Sequence, residues 1–88
     1  MKAQFKNITY DILITDHARV RMVERGVSEE LIIDLIENGQ TKPKPQSTNA
    51  FWIFSQITGR TDNLICISVV TESKTLVIKT VLINWRPT

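Results

Sequence analysis

One cysteine, one histidine, three glycines and three prolines are spread through 88 residues. The lone Cys66 excludes an internal disulfide and a cysteine-based zinc site. It lies in the apolar run LICISVV, where a small buried thiol is expected rather than a reactive one. So little glycine and proline leaves no room for a long disordered region. No run of eighteen apolar residues exists, which excludes a helical membrane span. The first fifteen residues carry Lys2 and Lys6, but Asn7, Thr9 and Asp11 interrupt their apolar residues, against the pattern of a signal peptide. A cytoplasmic protein is expected. Charge of one sign is scarce too: eleven Lys and Arg against nine Asp and Glu leave a net charge of +2. Any attraction to nucleic acid must therefore come from a local patch.

What is present suffices for one domain spanning residues 1–88, with a single small core drawn from 42% apolar residues. FKNITYDILI (5–14) nearly alternates at its end and predicts a strand or an extended arm. Thr15 or Asp16 can cap a helix that runs to Arg25 and stops at Gly26. Ser28 caps a second helix, with Glu29 and Glu30 in the first turn, an apolar face of Leu31, Ile32, Leu35 and Ile36, and Gly39 as its stop. TKPKPQSTN (41–49) reads as an exposed polar loop. Strands are expected at about 50–57, 63–70 and 75–84, joined by hairpin turns at TGRTD and TESK. The expected fold is α+β, with two N-terminal helices packed on a three- or four-stranded antiparallel sheet.

His17, Arg21 and Arg25 follow one another at four-residue steps. On an ideal helix they fall near 0°, about 40° and about 80°, with Ala18 and Met22 at about 100° and 140°. The cationic stripe thus borders the strip that seats the helix. An imidazole beside guanidiniums suits proton transfer next to a phosphate. One histidine without a ligand partner is no metal site, and no cofactor motif is present. The plain alternative is a capped helix with a solvated basic face, its arginines pairing with Glu24 or Glu29. On the last strand, strict alternation puts Val77, Lys79, Val81 and Ile83 on one face and Ile78, Thr80, Leu82 and Asn84 on the other. At most one of Lys79 and Thr80 could then join a His17 site. Arg60, Lys42 and Lys44 can extend a basic rim or be plain surface charge. Trp52 and Phe54 are expected in the core, with Trp85 exposed to a partner.

The run DHARVRMVERGVSEELIIDLIENG resembles the bacterial family known as domain of unknown function 4258. His17, Ala18, Arg21, Met22, Arg25, Gly26, Val27, Ser28 and Gly39 match its pattern, and Lys79-Thr80-Val81 matches a weaker C-terminal one. That family is in turn similar to BrnT-type toxins and to the barnase–EndoU–colicin–RelE ribonucleases, which implies a RelE-like version of the fold above. The resemblance implies a metal-independent endoribonuclease toxin acting on RNA, held by an antitoxin or immunity protein, with no membrane association and with a homodimer allowed. It implies catalytic roles for His17, Arg21, Arg25 and Thr80 and substrate contacts for Lys79, Arg60 and Arg19. The opposing acid has no obvious candidate beyond Glu24, Tyr10 or Lys79. A non-enzymatic RNA- or protein-binding module of the same fold is the alternative. An inhibitor acting through a sheet edge would call for an acidic cluster, which the chain lacks.

Overall fold

The computed structural model describes residues 1–56 and 64–85. The chain forms β1 (Lys2–Phe5), β2 (Ile8–Ile14), α1 (Asp16–Arg25), α2 (Glu29–Asn38), β3 (Gln40–Pro43), β4 (Ala50–Gln56), β5 (Leu64–Glu72) and β6 (Thr75–Trp85). The strands make one sheet in the order β1-β2-β6-β5-β4-β3. All neighbours are antiparallel except β2 and β6, which run parallel from Asp11↔Thr75 to Ile14↔Ile78.

The expected sheet of three or four antiparallel strands is therefore wrong. The sheet is mixed, has six strands and curls into a half-barrel. The helices are not N-terminal to it but inserted between β2 and β3. Three local features account for the difference. Lys6 and Asn7 both take positive φ, 54° and 66°, making a two-residue turn that breaks the expected first strand into a hairpin without any glycine. Thr41, Lys42 and Pro43, expected in a loop, belong to an outer strand, Gln40–Pro43, on β4. Proline is tolerated there because its missing N–H can face away from the ladder. The parallel pair has no local signature, since its crossover is the whole segment from α1 through β5.

The helices begin and end on specific side chains. Thr15 Oγ1 accepts from the Ala18 amide at 3.2 Å, and Ser28 Oγ accepts from Leu31 at 3.1 Å. Gly26 closes α1 in the left-handed region (φ 65°, ψ 38°), and the Val27 amide returns to the Met22 carbonyl at 2.9 Å. Gly39 answers a different need. A Cβ there would lie 2.5 Å from the Leu35 carbonyl oxygen and 3.1 Å from that of Phe54, so α2 could not hand over to β3 so closely.

The core lies on the helix side of the sheet. Ala18 and Met22 of α1 and Ile32, Leu35 and Ile36 of α2 pack with Ile12, Ile14, Ile53, Ile65, Ile67, Val69, Leu76, Ile78 and Val81. Burying one such side chain fully contributes about 1.5–3 kcal/mol. Phe5 of β1 and Phe51 of β4 meet with ring centroids 5.6 Å apart although three strands separate theirs in the sheet. The half-barrel therefore wraps around the helix-side core. The described TESK segment turns at Ser73 (φ 54°) between Glu72 and Thr75, whereas TGRTD lies outside the described residues. Among the described residues no helix is long and apolar enough to cross a membrane.

Candidate functional site

Of two irregularities in the pairing of the last strand, the β-bulge at Lys79 decides where the candidate residues go. Ser68 pairs with Thr80, but the next residue, Val69, pairs with Ile78, leaving Lys79 as the extra residue. The bulge resets the alternation. Ile78 before it and Val81 after it both point into the core, while Thr80 joins Ser68 on the outer face. The strict alternation expected for this strand does not hold.

The same region of β6 has an unpaired edge. Parallel pairing with β2 ends at Ile14↔Ile78, because the chain leaves the sheet to begin α1. From Lys79 onward, the peptide groups on that edge need other partners. Helix α1 provides them. The Thr15 amide lies 3.3 Å from the Ile78 carbonyl oxygen, and the Thr15 hydroxyl lies 2.9 Å from it and 3.3 Å from that of Lys79. At the other end of the helix, the Arg25 guanidinium donates to the Val81 carbonyl. Helix α1 is thus fixed at both ends along the open edge of β6.

This places the stripe residues individually. His17, in the first turn, is exposed, and its imidazole makes no hydrogen bond among the described residues. Arg21 pairs with Glu24 at 2.8 Å, an exposed contact that costs little to give up. Arg25 is engaged with β6. Arg19 points toward the start of α2, paired with Glu29 at 2.8 Å. Lys79 is exposed at the bulge, next to the first turn of α1. Thr80 is half-buried on the outer face, where the sheet itself separates it from the core. Arg60 lies outside the described residues. Of the three acids considered, Tyr10 packs edge-on to Phe5 at 6.0 Å, away from the stripe. Glu24 is already paired with Arg21. Of the three, Lys79 has its backbone carbonyl at the start of α1, 3.3 Å from the Thr15 hydroxyl.

Sequence reading missed the outer face of β4, β5 and β6. Trp52, Phe54 and Trp85 are neither core nor free. All three are half-buried and touch, with Trp85 4.9 Å from Phe54 and 5.6 Å from Trp52 between ring centroids. They meet across β5 because its outward residues there, Cys66 and Ser68, are small. Lys44, which follows β3, lies over Trp52 at 4.0 Å and donates to the Ser68 hydroxyl. Burial, opposed by the Cys66 sulfur and reinforced by the Lys79 ammonium, holds Lys44 below the ordinary lysine range. Burial pushes the Cys66 thiol up to about 12, against smaller opposing effects of Lys44 and the Ile53 backbone. The thiol therefore stays protonated and inert at neutral pH. One signal was available: small polar or sulfur-bearing residues alternating with isoleucine in LICIS mark a strand buried on both faces. Among the described residues no group of three His, Cys, Asp or Glu could hold a metal ion.

A two-helix insertion whose first helix lies along the open edge of a curled mixed sheet is the class of domain these residues build. The chain matches the family model described as Domain of unknown function (DUF4258) over residues 14–83, and it belongs to that family. The match begins at the end of β2 and so takes in both helices and most of β6. No curated protein and no solved structure matches it.

Proposed function

We propose that this protein is a metal-independent endoribonuclease whose site is the junction of α1 with the open edge of β6. The observation that carries the reading is the double anchoring of α1 at Thr15 and Arg25, which keeps the exposed His17 beside the Lys79 bulge. A proton-transfer group held in place in this way loses little entropy on meeting a substrate. In this reading His17 takes the proton of a ribose 2′-OH. The 2′-oxygen bonds to the adjacent phosphorus, and the phosphorus–5′-oxygen bond breaks. Lys79 gives a proton to the departing 5′-oxygen. Arg21, exchanging Glu24 for the phosphate, offsets the charge gathered on the non-bridging oxygens. Arg25, at the opposite end of α1, has a positioning role through Val81. The resemblance to RelE- and BrnT-type toxins supports the same chemistry and suggests that an antitoxin or immunity protein restrains it.

The test is incubation with RNA in EDTA, followed by analysis of the product ends. The expected products end in 2′,3′-cyclic phosphate, and the same strand with a single 2′-deoxy substitution resists cleavage at that position. Loss of His17 should lower the rate at least about a hundredfold. Equal cleavage of the deoxy-substituted strand, or a His17→Ala variant as fast as the wild type, overturns the proposal. A second reading, an RNA-binding module without chemistry, is favoured by one observation: Arg21 and Arg25 both already have protein partners. RNA bound but left intact in EDTA is the result that selects it.

A further inference from the structure

We propose that the outer face of β4, β5 and β6 is a stacking platform for an unpaired base of a single-stranded nucleic acid, with Trp85 as the ring on which the base lies and Lys44 and Lys79 as its phosphate contacts. The assignment rests on three observations, which share only Lys79 with the His17 site. The first is the aromatic group itself. Trp85 is tilted by 44° to Phe54 and by 40° to Trp52. Lys44 already covers one face of Trp52 and Trp85 lies 4.9 Å from Phe54, so Trp85, the larger of the two other rings and at the end of β6, is the ring assigned to the base.

The second is charge. Helix α2 carries Glu29, Glu30, Asp34 and Glu37 and no basic residue, whereas the Lys79 ammonium lies close enough to Lys44 to disfavour the charge of Lys44. Glu72, the one acid on β5 among the described residues, is at the far end of the strand, opposite Thr75. A phosphate between the two lysines would relieve a repulsion that no carboxylate on this face among the described residues relieves, which favours a polyanion over an acidic or neutral protein surface. The third is rigidity. Lys44 is held to the Ser68 hydroxyl, and Ser68 is 3% exposed on the central strand. The ammonium is therefore already directed at the platform before any ligand arrives.

Stacking on an aromatic ring needs a free base face but not a particular base or a 2′-OH. The platform should therefore accept DNA and RNA single strands alike and reject a duplex, whose bases are already stacked. It would hold the strand next to the α1–β6 junction, since Lys79 borders both. It does not depend on cleavage taking place there.

The experiment is a fluorescence titration of the full chain with single-stranded oligothymidylate, which has no 2′-OH and cannot be cleaved by the proposed chemistry. Saturable quenching of tryptophan emission is expected, with a duplex of the same length binding at least about tenfold more weakly. Trp85→Ala should weaken affinity about fivefold or more, and Trp85→Phe should restore most of it. Lys44→Ala should flatten the dependence of log affinity on log salt by about 0.7. Far-ultraviolet circular dichroism identifies any variant that has lost its fold, and the salt slope of Lys44→Ala remains a test if Trp85→Ala has. No quenching, equal affinity for duplex and single strand, or unchanged affinity in a folded Trp85→Ala variant overturns the proposal. So does a concentration-dependent dimer in sedimentation that Trp85→Ala abolishes, which would assign the face to a second copy of the chain. Cleavage of RNA without oligothymidylate binding would remove the platform and leave the His17 reading in place.

Discussion

Ile67 and Ser68 are adjacent on β5 and both almost wholly buried, yet they belong to different environments. Ile67 lies between Ile53 and Val81 in an aliphatic layer that two helices cover. Ser68 lies between Trp52 and Thr80 on a face with no helix, and what covers it includes a lysine. The first environment excludes water to hold the chain together. The second buries polar groups only as far as they can be hydrogen-bonded, leaving three half-buried rings at the surface. In a domain this small, one side of the sheet supplies most of the stability and the other is open to a ligand.

Substitutions on the two sides should separate these roles. Ile67→Ala should have the largest effect on stability, about 2–5 kcal/mol lost in a urea titration, because the packed neighbours cannot close the cavity. An effect below about 1 kcal/mol would mean that the helix-side layer is loosely packed. Thr15→Ala comes next, at about 1–2 kcal/mol, since it removes an N-cap together with a tie between α1 and β6. It should also slow RNA cleavage without weakening oligothymidylate binding, which separates the α1 edge from the outer face. Ser68→Ala should be the smallest, about 1 kcal/mol, because Lys44 is partly solvated and can turn to water. A cost as large as that of Ile67→Ala would erase the distinction between the faces.

Much of the helical half was legible in the sequence. Thr15, Gly26, Ser28 and Gly39 mark the ends of α1 and α2 by short-range chemistry that a linear pattern carries. Three residue groups resisted. Lys6-Asn7 makes a hairpin turn with no glycine to announce it. Gln40–Pro43 becomes a strand through pairing with β4, against its own composition. The bulge at Lys79 breaks the alternation, so counting by twos put Ile78 and Thr80 on one face although they lie on opposite ones. The candidate site divides along the same line. Spacing put His17 and Arg21 on one stripe of α1 beside its packing face; in the structure His17 is exposed and Arg21 is half-buried and paired with Glu24. It could not foresee that Arg25 would be used on a β6 carbonyl, because that need arises only where β2 ends. Nor could it assemble Trp52, Phe54 and Trp85, which come from two strands and meet over the small side chains of a third.

The most direct test of this division of labour is the single-turnover rate of RNA cleavage in EDTA, followed against protein concentration for the wild type, His17→Ala and Trp85→Ala. His17→Ala should lose the rate at saturation while keeping its half-saturation concentration, and Trp85→Ala should raise the half-saturation concentration while keeping the rate. A His17→Ala variant that cleaves at the wild-type rate, or a Trp85→Ala variant that loses rate at unchanged half-saturation, would contradict it.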